Sequence, residues 1–507
     1  MRNQRFITTL LAVVIVLFAG FEIQAQNDFK LSDYKNPEYN YRLLDFDFNM
    51  DGRSQFNETK ADNIGDFQTN IAAFNGMLNP RYYAKRNNNT FQGFQSISLN
   101  ISTDLNRIKT NQNSPFYNDR INKDKRLAMG FQGHSVNRFY NSTKKFIEIG
   151  VSFDALTQYR SKNWEYDPAT YPFNYKTRAE NSNLIVSVPV KLGKGRIEEV
   201  QDARLSVYIL EDLEKSGDLS RSPDSEDILE LAYFITKIKN KRYFDHRLQK
   251  ISEITALDSL LESSGLKAKS GASYFTLLND NWNYSNGPVR ESGSRFSFGL
   301  APSVDLNRDK QKIHRYDSIP NQSILDDYTR EDKYHRNAFG LGILAEYSLQ
   351  IPVNLYWQHS TDISAGYAIN NTNEKTEYFE REILIDEFSN DSYSPNLSFA
   401  ASHSIGYYPN SRTSIRMNAF FSIRNNFLNF DKNDNATYDL VKFLMTSGIG
   451  LTANYYVSPQ LRVNINLHSN YYSYNRRNKS DASTNEVEET NINFQNYISA
   501  GLTYSIF

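Results

Sequence analysis

The sequence predicts an all-β fold, a transmembrane antiparallel β-barrel of about fourteen strands with an inserted three-helix segment. Three observations support this prediction. Apolar and polar residues alternate over many long stretches, the composition is both aromatic and polar, and short turns alternate with long charged connections. A strand that separates lipid from a polar lumen requires such alternation, because its successive side chains point to opposite faces.

The clearest alternation lies between Leu461 and His468, where every second residue is apolar. The final segment repeats the pattern, with Ile498 and Leu502 in its apolar row. Such stretches exceed the roughly five or six residues of an average strand. They approach the roughly ten residues that a tilted strand needs to cross a bilayer. We therefore expect the apolar rows to face lipid and the polar rows to face the lumen.

Fourteen strands can be delimited in this way, with twelve or sixteen as alternatives. An even number agrees with single-chain bacterial barrels. The predicted ranges are 41–50, 67–84, 91–105, 127–139, 145–158, 182–193, 294–306, 337–350, 353–370, 395–407, 413–426, 437–456, 460–475 and 491–507. With the C-terminus in the periplasm, the short turns are periplasmic. The long connections, at about 107–126, 159–181, 307–336, 371–393 and 476–490, are then external.

The composition argues against several other classes of protein. The chain has 507 residues, a formal net charge of −1 and no Lys/Arg cluster, which argues against a nucleic-acid partner. Its mean hydropathy of −0.62 is too polar for a helical membrane protein. It nevertheless contains 34 Tyr and 33 Phe, which suits the aromatic girdles of a membrane barrel. The absence of cysteine is typical of an exported protein without a disulfide framework.

Residues 1–25 have the pattern of a signal peptide. Arg2 and Arg5 precede an apolar core, and Ala25 ends the segment. The apolar run is shorter than the roughly 18–20 residues of a spanning helix. We therefore expect Sec-dependent export to the outer membrane of a Gram-negative cell, with residues 26–194 forming the first part of the barrel.

Residues 195–268 depart from the strand pattern. The apolar period changes from two to about 3.6 and gives three helical stripes, which begin near Val200, Ile228 and Leu248. The strand count places this insert in the periplasm, and residues 269–507 form the second part of the barrel. An ordered, amphipathic insert of this length favours a plug or a docking platform. A tolerated insertion that packs on itself remains an alternative.

The start of the insert resembles a known family. Gly193 to Arg204, with the sequence GKGRIEEVQDAR, is similar to a segment of outer-membrane barrel proteins of Bacteroidota. In that family the segment also enters a helical region and leads to a motif similar to Lys241 to Arg247, KRYFDHR. The resemblance implies a porin-like barrel with a periplasmic helical insert and brings no established biochemical activity. The candidate residues of the two segments are Arg196, Glu198, Asp202, Arg204, Arg242, Asp245 and Arg247.

The polar rows of the strands also carry a charge pattern. Acidic candidates lie on the earlier strands and basic candidates on the later ones. They are Asp104, Glu148, Asp154, Asp305, Glu346 and Asp362, followed by Arg416, Arg424, Lys442 and Arg462. Around a closed barrel these sets occupy different arcs, and the low-dielectric wall focuses a field across the lumen. The alternative is a lumen packed shut by paired charges and hydrogen bonds.

These patterns predict porin-like passage or binding of small polar solutes. The alternative is a structural or assembly component that anchors a docking platform for a periplasmic protein. A third hypothesis, an enzyme that modifies outer-membrane lipid, lacks a nucleophile–base pair, since the adjacent His359 and Ser360 face opposite sides of their strand. We expect contact with outer-membrane lipid, no metal and no cofactor, and the sequence leaves the oligomeric state open.

Overall fold

A computed structural model describes residues 29–504 except 36–37, 60–66, 113–119, 167–172, 241–248, 286, 318–327, 432–437, 459–460 and 481–486. Fifteen strands dominate this part of the chain. They are β1 Tyr39–Thr59, β2 Phe67–Asn88, β3 Phe91–Gln112, β4 Arg120–Tyr140, β5 Lys145–Tyr166, β6 Phe173–Ser187, β7 Val190–Glu199, β8 Glu291–Asp317, β9 Tyr328–Pro352, β10 Trp357–Glu380, β11 Ile383–Tyr407, β12 Thr413–Asp431, β13 Tyr438–Tyr456, β14 Leu461–Ser480 and β15 Val487–Tyr504.

The strands form one antiparallel sheet in which chain neighbours pair in sequence from β1 to β15. The exception is β7. It pairs with residues 145–149 of β5 and 291–300 of β8, whereas β6 pairs with residues 152–164 and 303–317 of the same two strands. β6 and β7 therefore occupy one position, interrupted at Val188–Pro189. Proline has no backbone N–H for a ladder; the neighbouring amides of Gly150 and Val188 instead bond Pro189 O and Pro302 O. The sheet thus has fourteen positions, which match the fourteen predicted strands.

The strands are longer than predicted, so several connections are shorter. The predicted long connection at 371–393 is wrong, because β10 and β11 join through the two residues Arg381 and Glu382. Both residues have positive φ, 49° and 70°, as a tight hairpin of this kind requires. We call this side of the sheet the loop end. The opposite side, with the short turns after β2, β4, β9, β11 and β13, is the turn end.

The two faces of the sheet differ as the alternation predicts. On β5, Ile147 is 49 % exposed whereas its neighbour Glu148 is 2 % exposed. On β8, Phe296 and Phe298 lie on the exposed face and Ser297 between them is buried. The apolar row therefore faces outward and the polar row inward. The fold class is all-β, an antiparallel barrel of the transmembrane type with a helical insert, as predicted.

Strands β1 and β15 form the two edges of the sheet path, and no ladder joins them within the described residues. Their apolar rows are the most exposed in the sheet, with Ile498 of β15 78 % exposed and Phe46 and Phe48 of β1 nearly as open. Closure of the barrel would pair these two edges and satisfy their free backbone groups.

The helical insert contains α1 Gln201–Lys215, α2 Ser225–Lys239, α3 Lys250–Ser263 and α4 Ala272–Asn283. The prediction of three helices ending by residue 268 missed α4 and also placed the end of the strand too early. Leu213, Ile235, Leu257 and Leu278, one from each helix, share a single buried core. We call the described part of residues 200–290 the cap. None of its helices, nor any other helix of the described chain, is long and apolar enough to cross a membrane.

The segment before β1 is fastened to the cap. Leu31 and Tyr34 are buried in a cluster with Val200, just before α1, Ala203 of α1 and Ala232 of α2. The hydroxyl of Tyr34 lies 2.6 Å from Thr236 Oγ1. The N-terminal segment thus connects the cap to the edge strand β1.

Candidate functional site at the turn end of the lumen

The register of the ladders places all ten predicted lumen residues on one face of the sheet. Residues opposite each other in a ladder share a face. Glu148 lies opposite Lys191, Lys191 opposite Gly299, and this line continues strand by strand to Arg424. The other eight candidates share this inward face, because each lies an even number of residues along its strand from a member of this line or of its continuation through the neighbouring ladders. They are Asp104, Asp154, Asp305, Glu346, Asp362, Arg416, Lys442 and Arg462.

Most of the acidic candidates have basic partners on neighbouring strands. Lys191 Nζ lies 2.5 Å from a carboxylate oxygen of Glu148 and 2.6 Å from one of Glu346. Arg138 Nε adds a contact of 2.6 Å to Glu148. The four side chains form a charge cluster on the inner wall, in which Glu148 and Lys191 are buried and Lys191 joins β7 to β5 and β9. We call it the buried charge cluster.

The other acidic candidates are held more loosely. Asp305 accepts a hydrogen bond of 3.0 Å from Arg336, and Asp104 lies 3.9 Å from Arg126. Asp154 accepts from the Gln132 amide at 2.9 Å. Asp362 accepts from the Ser348 hydroxyl at 2.6 Å. Paired charges therefore cover much of the wall from β3 to β10, as the closed-lumen alternative requires.

The basic candidates differ, because none of the four forms an ion pair among the described residues. Arg416 donates to the hydroxyl of Tyr408 at 3.2 Å. The guanidinium of Arg462 lies 5.8 Å from the ring centre of Tyr456. We call Arg416, Arg424, Lys442 and Arg462 the basic arc. It faces the lumen from β12, β13 and β14 without a carboxylate partner among the described residues.

The end of β7 leaves the wall and crosses the lumen. Gln92 of β3 donates a hydrogen bond of 3.0 Å to Ile197 O of β7. β4 and β5 lie between these strands in the sheet, which would separate them by roughly 14 Å along the wall at about 4.8 Å per strand. The contact therefore spans the interior. We call residues 195–199, with their β8 partners 291–295, the mouth ribbon.

Two glycines allow the ribbon to bend. Gly195 has φ 99° and Gly293 has φ 122°, a region that residues with a Cβ rarely adopt. A Cβ on Gly195 would lie 2.2 Å from Ser294 O, and one on Gly293 would lie 2.2 Å from Arg196 O. The two glycines lie two positions apart along the β7–β8 ladder. Both strands therefore bend at nearly the same place, where they leave the wall and form the mouth ribbon.

The motif residues of the ribbon anchor it to the β2–β3 turn. Arg196 donates to Asn87 Oδ1 at 2.8 Å and to Asn88 O at 2.7 Å. Its Nε lies 2.5 Å from Glu198. Glu199 forms an ion pair with Lys85 of β2. These contacts fix the ribbon across the turn end of the lumen.

The remaining motif residues lie in the cap or outside the described chain. Asp202 pairs with Lys239 at 2.6 Å and accepts from the Thr236 hydroxyl at 2.5 Å, which ties α1 to α2. Arg204 lies 5.6 Å from the ring centres of both Tyr208 and Tyr408. The candidates Arg242, Asp245 and Arg247 fall outside the described residues.

A buried arginine, Arg290, docks the cap on the β9–β10 turn. Its Nη2 donates to Asn354 O at 2.8 Å and Trp357 O at 2.7 Å, and its Nη1 to Leu355 O. Burial, together with the positive charge of Arg204, lowers the pKa of Arg290 to about 10. Arg290 therefore stays charged at neutral pH, with its charge held by backbone carbonyls.

The β11–β12 turn is a second docking point. Tyr208 of α1 donates to Tyr408 O at 3.1 Å, and burial raises the pKa of Tyr208 to about 12. Arg412 lies 5.0 Å from the ring centre of Tyr284, just after α4. The cap is thus docked on the β9–β10 and β11–β12 turns, and the mouth ribbon that leads into it is anchored on the β2–β3 turn.

Three cavities line the interior between cap and lumen. The first, of about 580 Å³, lies between the β1–β2 wall and the cap and is lined by Tyr41, Arg81, Asp202 and Val289, among others. The second, of about 330 Å³, borders the mouth ribbon. The third, of about 350 Å³, extends to Ser422 on β12.

Sequence reasoning missed several residues of this site. Lys191 lies on the polar row of its strand, so the same period rule could have found it. Lys85 and Arg290 give no such signal, because their partners are distant in sequence and meet them only through the crossing ribbon and the docked cap.

Two of the described histidines lie side by side on neighbouring strands. His359 Nδ1 lies 3.3 Å from His403 Nε2, and Thr361 Oγ1 lies 2.9 Å from His403 Nδ1. The ladders place these three residues on the outward face, opposite to that of Ser360. Among the described residues, no group of three or more His, Cys, Asp or Glu side chains is placed to hold a metal ion.

Fold and site together define a transmembrane-type β-barrel whose polar lumen is crossed and capped at the turn end. No protein-family model matches the chain, and no curated protein matches its sequence significantly. Among solved structures, the translocator domain of autotransporter NalP from Neisseria meningitidis is 10 % identical, with 83 % of this chain and 90 % of that chain covered and a TM-score of 0.22.

A second similar structure, the CymD monoaromatic hydrocarbon channel, is also 10 % identical. The match covers 96 % of this chain and 94 % of that chain, with a TM-score of 0.21. A lipovitellin structure gives 6 % identity and a TM-score of 0.12, with 93 % of this chain and 100 % of that chain covered. These TM-scores are too low to bear on function.

Proposed function

We propose that this protein is an outer-membrane barrel that passes small polar solutes through its lumen, with the cap on the periplasmic side. The observation that carries the proposal is the unequal charge of the inner wall. Basic side chains without a described ion-pair partner face the lumen from β12 to β14, whereas Asp104 on β3 and Glu148 on β5 have basic partners.

Such an arrangement produces a field across the lumen. The surrounding wall has a low dielectric constant, which focuses the field in the water-filled space. A polar solute is oriented by this field as it passes, and its anionic groups are drawn to the basic arc. On β3 to β5 the acidic candidates are matched by Arg126, Arg138 and the Gln132 amide, so that side adds little net charge.

Planar-bilayer recording of the purified full-length protein tests the proposal. We expect the wild-type protein to give ion-permeable channels. Replacing Arg416 and Arg424 by glutamine should shift the reversal potential in a salt gradient toward cations, because it removes positive charge from the lumen. A matched control replaces Arg107 of β3, which the register places on the outward face, and should leave the potential unchanged. Absence of any current in wild type and variants would contradict the proposal.

The alternative function, a docking platform for a periplasmic protein, is favoured by one observation. Ile251 on α3 is 83 % exposed, which is unusual for a large apolar side chain in an otherwise well-packed cap. In vivo photo-crosslinking from position 255, exposed one helical turn after Ile251 on α3, tests this alternative. A defined adduct with another protein that is lost in the Ile251→Asp variant would favour the platform, and purely lipid or intramolecular adducts would disfavour it.

A further inference from the structure

The three cavities are arranged end to end. The first and second share Tyr39, Lys85 and Glu199 in their linings. The second and third share Arg295, Ser348 and Asp362. The three cavities are therefore neighbours in a row that runs from the inner wall at β12, past the mouth ribbon, to the cleft between the cap and the β1–β2 wall.

The contacts of the cap differ around this cleft. On the β1 side, Asn240 of the cap donates to Glu38 O at 2.6 Å and accepts from the Asn40 amide at 3.3 Å. Towards β9 to β12 the cap is held on the turns by the carbonyl contacts of Arg290 and by the hydrogen bond from Tyr208 to Tyr408 O. Towards β1 and β2 the ribbon contributes the Lys85–Glu199 ion pair. The wall of the cleft there is polar and aromatic, with Tyr41 and Arg81 in its lining.

We propose that solute passes between the lumen and the periplasm through this cleft, and that the Lys85–Glu199 ion pair is its gate. This inference rests on the proposed function, since it describes the exit of the same lumen. The pair lies where the first two cavities meet, so both side chains must move apart, or be bypassed, for a solute to pass. A solute that carries both a positive and a negative group can replace each partner of the pair in turn, which makes zwitterionic solutes the favoured class.

Thiol blocking tests the position of the exit. Val289 lines the cleft and is half exposed, so a thiol at this position can be reached by a reagent. In planar bilayers, a bulky cationic thiol reagent should remove most of the current of a Val289→Cys channel. The control, Asp280→Cys, lies in a separate cavity beside the β11–β12 turn and should keep its current after labelling to the same extent.

The gate is tested by neutralising one partner of the pair. Glu199→Gln, or Lys85→Met as a second variant, should raise the conductance or open probability severalfold, because the attraction that holds the gate closed is lost. Lys215→Met, which removes an exposed ion pair with Glu211 on α1, should have no effect. If the wild-type protein and the Lys215→Met control give no current, the appearance of current in Glu199→Gln supports the gate.

The outcomes separate the exit from the function. No current in the wild type or any variant overturns both proposals. Current that persists after full labelling of Val289→Cys overturns the exit alone and leaves the channel function intact. Blocking at Val289→Cys with unchanged conductance in both Glu199→Gln and Lys85→Met keeps the exit but overturns the gate.

Discussion

Lys85 of β2 and Glu199 of β7 form an ion pair, although β3, β4 and β5 lie between their strands in the sheet. The contact exists because the mouth ribbon bends away from the wall at Gly195 and Gly293. As a result, β2 and β7, which are not neighbours in the sheet, line opposite sides of the same opening. The position of the cap, and the space left beside it, depend on this bend.

The bend itself can be tested by Gly195→Ala. A Cβ at this position meets Ser294 O at 2.2 Å and must adopt φ near 99°, a strain of about 1–3 kcal/mol or more. We expect the ribbon to shift or detach and the midpoint of urea unfolding in vesicles to fall. Gly52→Ala on β1 is the control, since a Cβ there meets nothing within 4 Å. Equal stability of the two variants would contradict the bent ribbon.

Lys191→Met tests the buried charge cluster. Glu148 is almost completely buried and loses one of its two cationic partners in this variant. Removing one partner of a buried ion pair costs roughly 3–5 kcal/mol when it leaves the other charge uncompensated, and because Arg138 still contacts Glu148 we expect a cost below that range. Arg126→Met breaks a half-exposed pair with Asp104, which is worth about 0–1 kcal/mol. Heat-modifiability on electrophoresis should therefore reveal a lower melting temperature for Lys191→Met, and similar values for both variants would show that the cluster is solvated.

Ile465→Arg and Asn464→Arg test which face meets lipid. Ile465 lies on the exposed apolar row and Asn464 on the inward row of Arg462. An arginine near the bilayer midplane on the lipid face costs about 2–4 kcal/mol, whereas one in the lumen costs little. Folding yield into vesicles should drop for Ile465→Arg and stay near wild type for Asn464→Arg. The opposite order would reverse the faces.

Local sequence patterns were sufficient to predict the barrel part of the fold. A period of two is set within each strand, so Ile147 and Glu148 could be assigned to opposite faces without knowledge of their neighbours. The strand ends were harder to predict, because beyond the membrane both rows become polar. The hairpin at Arg381 and Glu382 therefore appeared to be a long connection.

The cap and the site were less accessible to sequence reasoning. α4 was missed although Tyr274, Leu278 and Trp282 recur every four residues, since an aromatic segment close to β8 also fits a barrel strand. The lumen candidates lie on one inward face by register, but the pairing of Glu346 with Lys191 depends on which strands become neighbours. Long-range contacts such as Lys85–Glu199 have no signature within a short sequence window.

Acid should loosen the start of α2. Arg221 donates two hydrogen bonds to Asp227, which lowers the pKa of that carboxyl below its ordinary value. A depressed pKa stabilises the fold above about pH 4, the ordinary value for aspartate, and this contribution disappears as the pH falls through the lowered pKa. Unfolding of the cap can be followed by the fluorescence of Trp282 in a variant with Trp164 and Trp357 replaced by Phe. The urea concentration at its midpoint should fall as the pH drops below about 4.

Asp227→Asn and Arg221→Gln distinguish the ion pair from other acid effects. Both variants should unfold more easily than the wild type above about pH 4, and the difference should vanish in stronger acid. Asp227→Asn should have the larger effect, because a neutral amide oxygen accepts more weakly than a carboxylate from the Asp224 backbone amide in the capping box. A pH profile identical in shape for Arg221→Gln and the wild type would exclude the pair as its cause.

The orientation of the barrel follows from the turn end, which carries the cap. Ser216 lies exposed just after α1, and Ile383 lies exposed at the tip of the β10–β11 hairpin, on the loop end. If the turn end is periplasmic, a membrane-impermeant thiol reagent should label Ile383→Cys in intact cells. It should label Ser216→Cys only after the outer membrane is permeabilised. The two sites are on one chain and the variants differ only in position, so expression and folding can be matched. Labelling of Ser216→Cys in intact cells, with protection of Ile383→Cys, would place the cap outside and exclude a periplasmic exit from the lumen.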